Sequence, residues 1–508
     1  MIAMSRRRAL GLTPLIFAAT FLLVLPSAWA APDPGAADQA AAQLNWGSCS
    51  SWLGDTGDLP AARCTTVSVP IDYAKPNGDQ AQLAVIKVPA RGQRVGVLMV
   101  NPGGPGQSAV DVVAGMAASF GDNEITQHFD LVGFDPRGVG HSTPDIRCRT
   151  DAEFDAYRRE PMVDYSPAGV THIEDIYRQL VADCVNRVGI GFLANVGTVN
   201  VARDMDAVRQ ALGEAQLNYL GFSYGTELGT AYAQAFPQNI RAMVLDGAID
   251  PTLDAVEKNV RQMASFQQAF DDFARDCASS ATCPLGTDPA KAVDRYHQLV
   301  NPLVTKPGPT LDPRGLSYQD ATTGTANALY TKRYWEFLTN GLSALQRGTE
   351  AEELLLLADD YQGRDKDGHY TNLQDAFTAV RCVDNVTPTD SASWVAADKR
   401  IREVAPFLSY GEFTGYAPRD VCAFWPVPPT TVPYTATSPG AGKVVVVSTT
   451  HDPATPYQSG VELARQLGAS LISYDGTQHT VVFKGVRCVD SAIVNYLVNL
   501  TPPADLHC

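Results

Sequence analysis

Ser223 is the residue whose surroundings point most directly to chemistry. It is the centre of Gly221-Phe-Ser-Tyr-Gly225, which joins an apolar run at 217–220 to a predicted helix. A serine on a sharp strand-to-helix turn is exposed to substrate, and glycines flank it because the two backbones approach closely. The N-terminus of that helix also places partial positive charge near a developing oxyanion. The spacing therefore predicts that Ser223 is the nucleophile of an acyl-transfer reaction.

The base that activates this serine should be a late histidine. A serine hydroxyl is a weak nucleophile, and it needs a histidine that a carboxylate orients. In enzymes that carry the serine on such a turn, the chain order is Ser, acid, His. His479 follows a predicted strand at 471–474 and a turn, whereas His507 lies beside Cys508, a poor place for a rigid base. We predict that His479 is the base.

The carboxylate that orients the base should follow a late strand. Asp452 comes directly after the valine-rich run at 444–447 and is the predicted acid. Asp246 and Asp250, which follow an earlier apolar run, are the alternatives. His451 is expected to be a neighbour of the acid rather than a catalyst.

Acyl transfer also needs N–H donors for the oxyanion. One predicted donor is the backbone N–H of Tyr224, the residue after the nucleophile. The other is expected in the loop Asn101-Pro-Gly-Gly-Pro-Gly106, where Gly104 is the first choice and Gly103 the alternative. No Gly-Lys-Ser/Thr follows this loop, so it is not a phosphate loop. The sequence has no metal-ligand spacing, and we predict neither a metal nor a cofactor.

The elements that must position these residues alternate between strand and helix. Helical patterns at 109–118 and 199–212 separate several continuous apolar runs, which is typical of a mostly parallel sheet in an α/β fold. The predicted strands are 65–69, 83–88, 95–100, 129–134, 217–220, 240–245, 443–447 and 471–474.

A mainly helical block interrupts this alternation. Amphipathic patterns without a convincing strand run from residue 251 to residue 432, after which the alternation resumes. We therefore predict one α/β core, formed by residues 63–250 and 433–508, and a mainly helical block formed by residues 251–432. The clearest predicted helices of this block are 255–278, 289–304, 332–345 and 349–361.

The first thirty residues have the pattern of a secretory signal peptide. Three arginines at 6–8 precede an apolar run at 15–25, and Ala28-Trp-Ala30 is a small-residue cleavage site. Residues 1–30 are therefore the predicted signal peptide, by the Sec or the Tat route, and residues 31–62 a loose N-terminal arm. The protein is expected to be exported, with no stable membrane anchor after cleavage.

The cysteines agree with export. Ten cysteines, an even number without a Cys-x-x-Cys motif, favour disulfides over zinc in an oxidising compartment. The sequence alone leaves the connectivity open, and nearest-neighbour pairing closes the shortest loops. That pairing is 49–64, 148–184, 277–283, 382–422 and 488–508.

Composition excludes several classes of protein. Hydrophobic residues make up 45% of the chain and charged residues 19%, which excludes a disordered chain. A formal net charge of −16 disfavours binding to nucleic acid. A single long apolar run, at the start, excludes a protein that spans the membrane several times. We expect a monomer.

Several motifs together resemble a known family. They are N-P-G-G-P-G at 101–106, F-D-P-R-G-V-G-H-S at 134–142, G-F-S-Y-G-T at 221–226, A-V-R-C-V-D at 379–384, C-A-F-W-P at 422–426 and D-P-A-T-P at 452–456. With the late His479, this set is similar to that of the secreted bacterial tripeptidyl aminopeptidases, serine peptidases related to prolyl aminopeptidases. The sequence departs from the family in Gln478-His479-Thr480, where glycine-rich surroundings are expected.

This resemblance implies an α/β-hydrolase fold with a mainly helical lid inserted before the last strands. It implies that Ser223, Asp452 and His479 form the triad. The expected substrates are peptides with a free amino terminus, from which short units, tripeptides in the family, are removed.

Two other functions are alternatives. A secreted carboxylester hydrolase would use the same triad. A non-catalytic binding protein would be expected to have lost a member of the triad, and none is missing from the sequence. An exopeptidase needs a carboxylate for the substrate ammonium. Glu227, Asp384 and Glu336 are candidates, and none of them is assigned this role.

Arg137, in the F-D-P-R-G motif, is expected to brace the oxyanion loop.

Overall fold

The structure is a computed structural model that describes residues 44–54, 59, 61–437 and 439–508. The predicted signal peptide, residues 1–30, and most of the predicted arm, residues 31–62, lie outside the described residues. None of the helices in the described ranges is long and apolar enough to cross a bilayer.

A nine-stranded sheet forms the centre of the described chain. Its strand order is β1-β2-β4-β3-β5-β6-β7-β8-β9, in which β2 runs antiparallel to both of its neighbours and the pairs from β4 to β9 are parallel. Each of the eight predicted strands is present, with ends that differ by at most three residues. The strands are β1 (Arg63–Pro70), β2 (Gln80–Val88), β3 (Gly96–Asn101), β4 (Phe129–Phe134), β5 (Leu217–Phe222), β6 (Ile240–Asp246), β7 (Val444–Thr449), β8 (Ser470–Tyr474) and β9 (Leu506–His507).

Helices cover both faces of the sheet and fill the interval between β6 and β7. Seven of the described helices, α9 to α15, lie in that interval. The helices are α1 (Ser50–Leu53), α2 (Ala109–Phe120), α3 (Glu124–His128), α4 (Asp151–Arg159), α5 (Pro167–Val188), α6 (Ile190–Leu193), α7 (Thr198–Ala211), α8 (Tyr224–Ala235), α9 (Ala255–Cys277), α10 (Ala292–Val300), α11 (Tyr318–Leu329), α12 (Trp335–Arg347), α13 (Glu352–Gln362), α14 (Leu373–Asp384), α15 (Ser391–Val404), α16 (Tyr457–Leu467) and α17 (Arg487–Asn499).

Alternate residues of the central strands face opposite sides of the sheet, and each side has its own hydrophobic cluster. In β3, Val97 and Met99 pack into one cluster, while Leu98 and Val100 pack into the other. Every residue of β3, β4 and β7 is buried, because helices cover both faces of the sheet. This is why these strands are continuous apolar runs in the sequence.

A third hydrophobic cluster lies within the helical insertion. Helices α9 to α13 pack around it, and at its centre Phe270 stacks on Phe407 with 4.5 Å between ring centroids. Helix α14 differs, since Ala376 and Cys382 belong to a cluster of the sheet. The predicted lid boundaries, 251 and 432, stay a prediction, and the packing between them is shared between the insertion and the sheet.

The cysteines pair as nearest neighbours, which confirms the simplest predicted pairing. The paired Cα atoms are 4.2 to 5.9 Å apart, and all ten cysteines are bonded. The pairs are Cys49–Cys64, Cys148–Cys184, Cys277–Cys283, Cys382–Cys422 and Cys488–Cys508.

Candidate active site

Ser223 occupies a strained turn between β5 and α8. Its φ of +54° is in a region that a residue with a side chain rarely adopts, and its N–H donates to Asp246 O at 2.9 Å. A Cβ added at Gly221 would lie 2.4 Å from Gly225 O, so the turn has no room for a side chain there. The sequence therefore builds the turn from glycines, and the turn presents the serine at the carboxyl end of the sheet.

The predicted base and acid lie together. Nδ1 of His479 donates to the Asp452 carboxylate, at 2.8 Å from Oδ1 and 3.0 Å from Oδ2. The buried carboxylate also accepts from the N–H groups of Ala454 and Thr455, both at 2.9 Å, and of Thr480 at 3.2 Å. This arrangement fixes the imidazole tautomer and leaves Nε2 as a proton acceptor.

Asp452 stays ionised although it is buried. Burial alone would raise the pKa of Asp452, but the charge and hydrogen bond of His479 and the backbone N–H donors outweigh it and lower that pKa below 3.8. A carboxylate held in its charged form can stabilise the imidazolium that forms when His479 takes a proton.

The alternative acids lie elsewhere. Oδ2 of Asp246 accepts from the N–H groups of Val481 and Val482, both at 2.7 Å, and burial raises the pKa of Asp246 to about 6. Asp250 accepts from Thr252 instead, at 2.7 Å from its hydroxyl. Neither carboxylate is hydrogen-bonded to the imidazole of the predicted base.

The turn of Ser223 and the ring of His479 meet at the end of β6. The backbone carbonyl of Asp246 accepts from the N–H of Ser223. A Cβ added at the next residue, Gly247, would lie 3.3 Å from His479 Cε1. Among the described residues, Ser223 Oγ forms no hydrogen bond. Catalytic hydrogen bonds of this kind are often long without substrate and tighten in the substrate complex.

The glycine loop after β3 lies against the nucleophile turn. A Cβ added at Gly103, whose φ is +97°, would lie 3.0 Å from Ser223 Cβ and 3.1 Å from Tyr224 N. The N–H of Gly103 already donates to Asn101 Oδ1 at 3.0 Å. Within the described chain, the N–H groups of Gly104 and Tyr224 have no acceptor, which favours Gly104 over Gly103 as the predicted donor.

Asp135 is a supporting residue that the sequence analysis missed. Its Oδ1 accepts from Ser108 Oγ at 2.9 Å and from Val110 N at 3.0 Å, and its Oδ2 accepts from His141 N at 2.8 Å. These contacts fix the start of α2, directly after the oxyanion loop. Burial raises the pKa of Asp135 to about 6. A signal was present in the sequence, since Asp135 belongs to the F-D-P-R-G motif.

The expectation for Arg137 was wrong. Its fully buried guanidinium pairs with Asp204, at 2.6 and 2.7 Å, and also donates to the carbonyl groups of Pro70 and Ile71. A buried guanidinium needs a carboxylate partner, and that partner lies on α7. Arg137 therefore joins the end of β1 to α7 and forms no hydrogen bond with the oxyanion loop.

An acidic pocket adjoins the helix that follows the nucleophile. Glu227 and Asp384 line it together with Lys258, whose Nζ lies 3.3 Å from Glu227 Oε1 and 3.2 Å from Asn385 Oδ1. Burial and the nearby charge of Glu227 raise the pKa of Asp384 to about 7. Glu336 is exposed on α12 and does not line this pocket.

Asp384 is connected to the residue after the nucleophile. Its carboxylate accepts from the Thr198 backbone N–H at 2.7 Å and from the Thr198 hydroxyl at 2.5 Å. The same hydroxyl lies 2.5 Å from the phenol oxygen of Tyr224.

In the described part of the chain, no group of three or more His, Cys, Asp or Glu side chains is arranged to hold a metal ion.

Comparison with known proteins agrees with this geometry. The family model for the alpha/beta hydrolase fold matches residues 96–486. This chain is an α/β-hydrolase. The predicted fold class, an α/β-hydrolase fold with a mostly helical insertion, is confirmed.

The relatives of this α/β-hydrolase carry both esterase and peptidase names. "Carboxylesterase B" of Mycobacterium tuberculosis is 65% identical over 518 residues, which covers 100% of both chains. "Serine protease Hip1" of the same species is 51% identical over 473 residues, which covers 92% of this chain and 91% of its own. "Tripeptidyl aminopeptidase" of Streptomyces coelicolor is 33% identical over 478 residues, which covers 91% of this chain and 85% of its own. The resemblance to the tripeptidyl aminopeptidases is therefore confirmed, and this α/β-hydrolase is a serine hydrolase.

Proposed function

We propose that this α/β-hydrolase is an exported serine exopeptidase that removes short units from the free amino end of peptides. The observation that carries the proposal is the pair formed by His479 and the buried, ionised Asp452, beside the strained turn of Ser223. Five disulfides support an exported protein, because such bonds persist in oxidising compartments.

The proposed reaction has two half-reactions. Ser223 Oγ attacks the carbonyl carbon while its proton passes to Nε2 of His479, and the oxyanion accepts from the N–H groups of Gly104 and Tyr224. The imidazolium then gives its proton to the leaving nitrogen, and the acyl group stays on the serine. Water attacks this acyl-enzyme, with the same imidazole as its base, and releases the acid and the free serine.

The acidic pocket supports recognition of a free amino end. Glu227 lies one helical turn after Ser223, and with Asp384 it gives the pocket two carboxylates against the single ammonium of Lys258. A substrate ammonium would add a second positive charge beside Glu227 and Asp384, whereas an acetylated end would bring no charge to the pocket. The names of two relatives, a serine protease and a tripeptidyl aminopeptidase, support peptide substrates.

A carboxylester hydrolase is the second candidate. The specific observation in its favour is the 65% identity with a carboxylesterase over the full length of both chains. The same triad and oxyanion donors would form the same acyl-enzyme from an ester. The two candidates differ in whether the amino end and the acidic pocket contribute to the rate.

The test compares matched peptides with free and acetylated amino ends, and a simple ester. Acetylation is expected to lower kcat/KM about 100-fold or more, because it removes the charge paired with the pocket. Glu227→Gln should weaken cleavage of the free peptide and leave the acetylated peptide unchanged. Glu336→Gln, a change to an exposed carboxylate, is the matched control and should resemble the wild type.

Mass spectrometry of the products gives the length of the unit removed. Stepwise shortening from the amino end supports the exopeptidase. Equal cleavage of both peptides, or internal cuts in casein, would refute it. Hydrolysis of the ester without hydrolysis of either peptide would support the carboxylester hydrolase instead.

A further inference from the structure

Asp272, on the lid helix α9, contacts both loops that carry the acid and the base. Its Oδ2 accepts from Nδ1 of His451 at 2.5 Å and from Thr477 Oγ1 at 2.6 Å. His451 directly precedes Asp452, and Thr477 lies two residues before His479. A carboxylate of the helical insertion therefore bridges the acid loop and the base loop, in addition to their direct backbone hydrogen bond from His451 N to Gly476 O at 3.0 Å.

Two backbone contacts reinforce this connection. Gln262, also on α9, donates from its side-chain amide to Ala454 O at 2.8 Å, in the loop of Asp452. The N–H of His479 donates to Tyr330 O at 2.8 Å, just after α11. The Tyr330 ring also meets the imidazole edge to face, with 5.2 Å between centroids. The acid and base loops thus have hydrogen-bond partners in the insertion as well as in the sheet.

The environment of Asp272 favours a fixed, charged carboxylate. Its side chain is 11% exposed, against 35% for His451. Burial would raise the pKa of Asp272, but the hydrogen bonds from Thr477 and His451 outweigh it, and Arg275 on the same helix adds a positive charge, so that pKa lies below 3.8. Charge-assisted hydrogen bonds to such a carboxylate are stronger than neutral ones.

We propose that Asp272 is a positioning residue for the reaction, and that it holds His479 and Asp452 in register only while the helical insertion is seated on the sheet. This inference rests on the proposed roles of His479 and Asp452. It makes catalytic competence depend on lid closure, because moving α9 away would remove the contacts of Asp272 with both loops at once. The insertion is then a part of the catalytic assembly as well as a cover for substrate.

The test compares Asp272→Ala with Asp271→Ala, its neighbour on the same helix. Asp272→Ala is expected to lower kcat about tenfold or more on a small substrate, while KM changes by less than about threefold. Asp272→Asn should recover most of kcat, because an amide oxygen can still accept from Thr477. Asp271 bonds to Gln267 instead, so Asp271→Ala should match the wild type. The effects of Asp272→Ala and Thr477→Val should be strongly non-additive.

A second measurement does not depend on Ser223. The proton that His479 Nδ1 shares with Asp452 can be followed by proton NMR, and its signal should broaden in Asp272→Ala and stay sharp in Asp271→Ala. A lower melting temperature with unchanged kcat and an unchanged signal would overturn the inference, since the role of Asp272 would then be structural. Failure of a serine-directed phosphonate to label wild-type Ser223 would instead refute the proposed function, while the NMR comparison would still decide the role of Asp272.

Discussion

The strand ends and the helical insertion contribute different kinds of group to the same site. Ser223 directly follows β5, and Asp452 lies three residues after the end of β7. Ladders of backbone hydrogen bonds fix the positions of both strands. The insertion supplies single contacts, such as the carboxylate of Asp272 and the carbonyl of Tyr330. The proposed nucleophile and acid thus lie at or near strand ends. The groups proposed to orient them lie on the insertion, which has its own hydrophobic core and could shift as a unit.

The largest effects are expected at the strand ends. His479→Ala should lower kcat about 10⁴-fold, and Asp452→Asn by the same factor or somewhat less, because each removes a member of a unit. Asp246→Asn keeps an oxygen that can accept from Val481 and Val482, so we expect a loss of less than about tenfold. Steady-state kinetics and phosphonate labelling check this order. A near-normal Asp452→Asn with an inactive Asp246→Asn would move the acid to the end of β6.

The disulfides provide the next comparison, between two bridges of the insertion, of which one packs in the insertion's own core and the other against the sheet. Cys277–Cys283 spans 6 residues, and Cys382–Cys422 spans 40. Chain entropy predicts that removing the longer bridge costs about 4 kcal/mol of stability and the shorter one about 2 kcal/mol. Urea unfolding of the two double-serine variants measures both losses. Equal losses would show that loop length does not set the contribution of these bridges.

The last comparison separates the two carboxylates, Asp246 and Asp452, by the sign of their pH dependence. Burial raises the pKa of Asp246 to about 6, so the stability that its protonated form contributes to the fold is complete below pH 3.8 and is lost as pH rises through 6. The asparagine of Asp246→Asn does not titrate, so the free energy of unfolding of this variant should rise relative to that of the wild type by at most about 3 kcal/mol between pH 4 and 7. The pKa of Asp452 is lowered, so Asp452→Asn should be less stable than the wild type above pH 3.8, and the difference in stability should shrink in acid. Melting curves across this range test both signs, and parallel curves for Asp246→Asn would contradict the first.

Local pattern predicted the strands and the groups at their ends. The runs of β3, β4 and β7 are buried on both faces, so their apolar character is visible without knowledge of their partners. Ser223 and Asp452 follow such runs, which is why spacing alone found them and why the structure brings Asp452 to the predicted base.

Long-range contacts were not predictable in the same way. β9 has only two residues, and it exists because Leu506 pairs with Ile472 and Cys508 N donates to Ser473 O. Arg137 lies in a recognisable motif, but the motif does not say which way its guanidinium points. The contact between Asp272 and His451 joins residues that are 179 positions apart, and neither sequence neighbourhood indicates the other.

The insertion between β6 and β7 also has a consequence for how the chain folds. These strands are neighbours in the sheet, with Met243 opposite Val444, although roughly 200 residues separate them. If those residues were disordered, closing them into a loop would cost about 5 kcal/mol of entropy, and such distant pairings form slowly. An insertion that has already collapsed around Phe270 presents its two ends about one strand spacing, ~4.8 Å, apart and acts as a short connection. The pairing of β6 with β7 is therefore expected to follow the folding of the inserted helices, so the insertion should fold before the part of the sheet on which it packs.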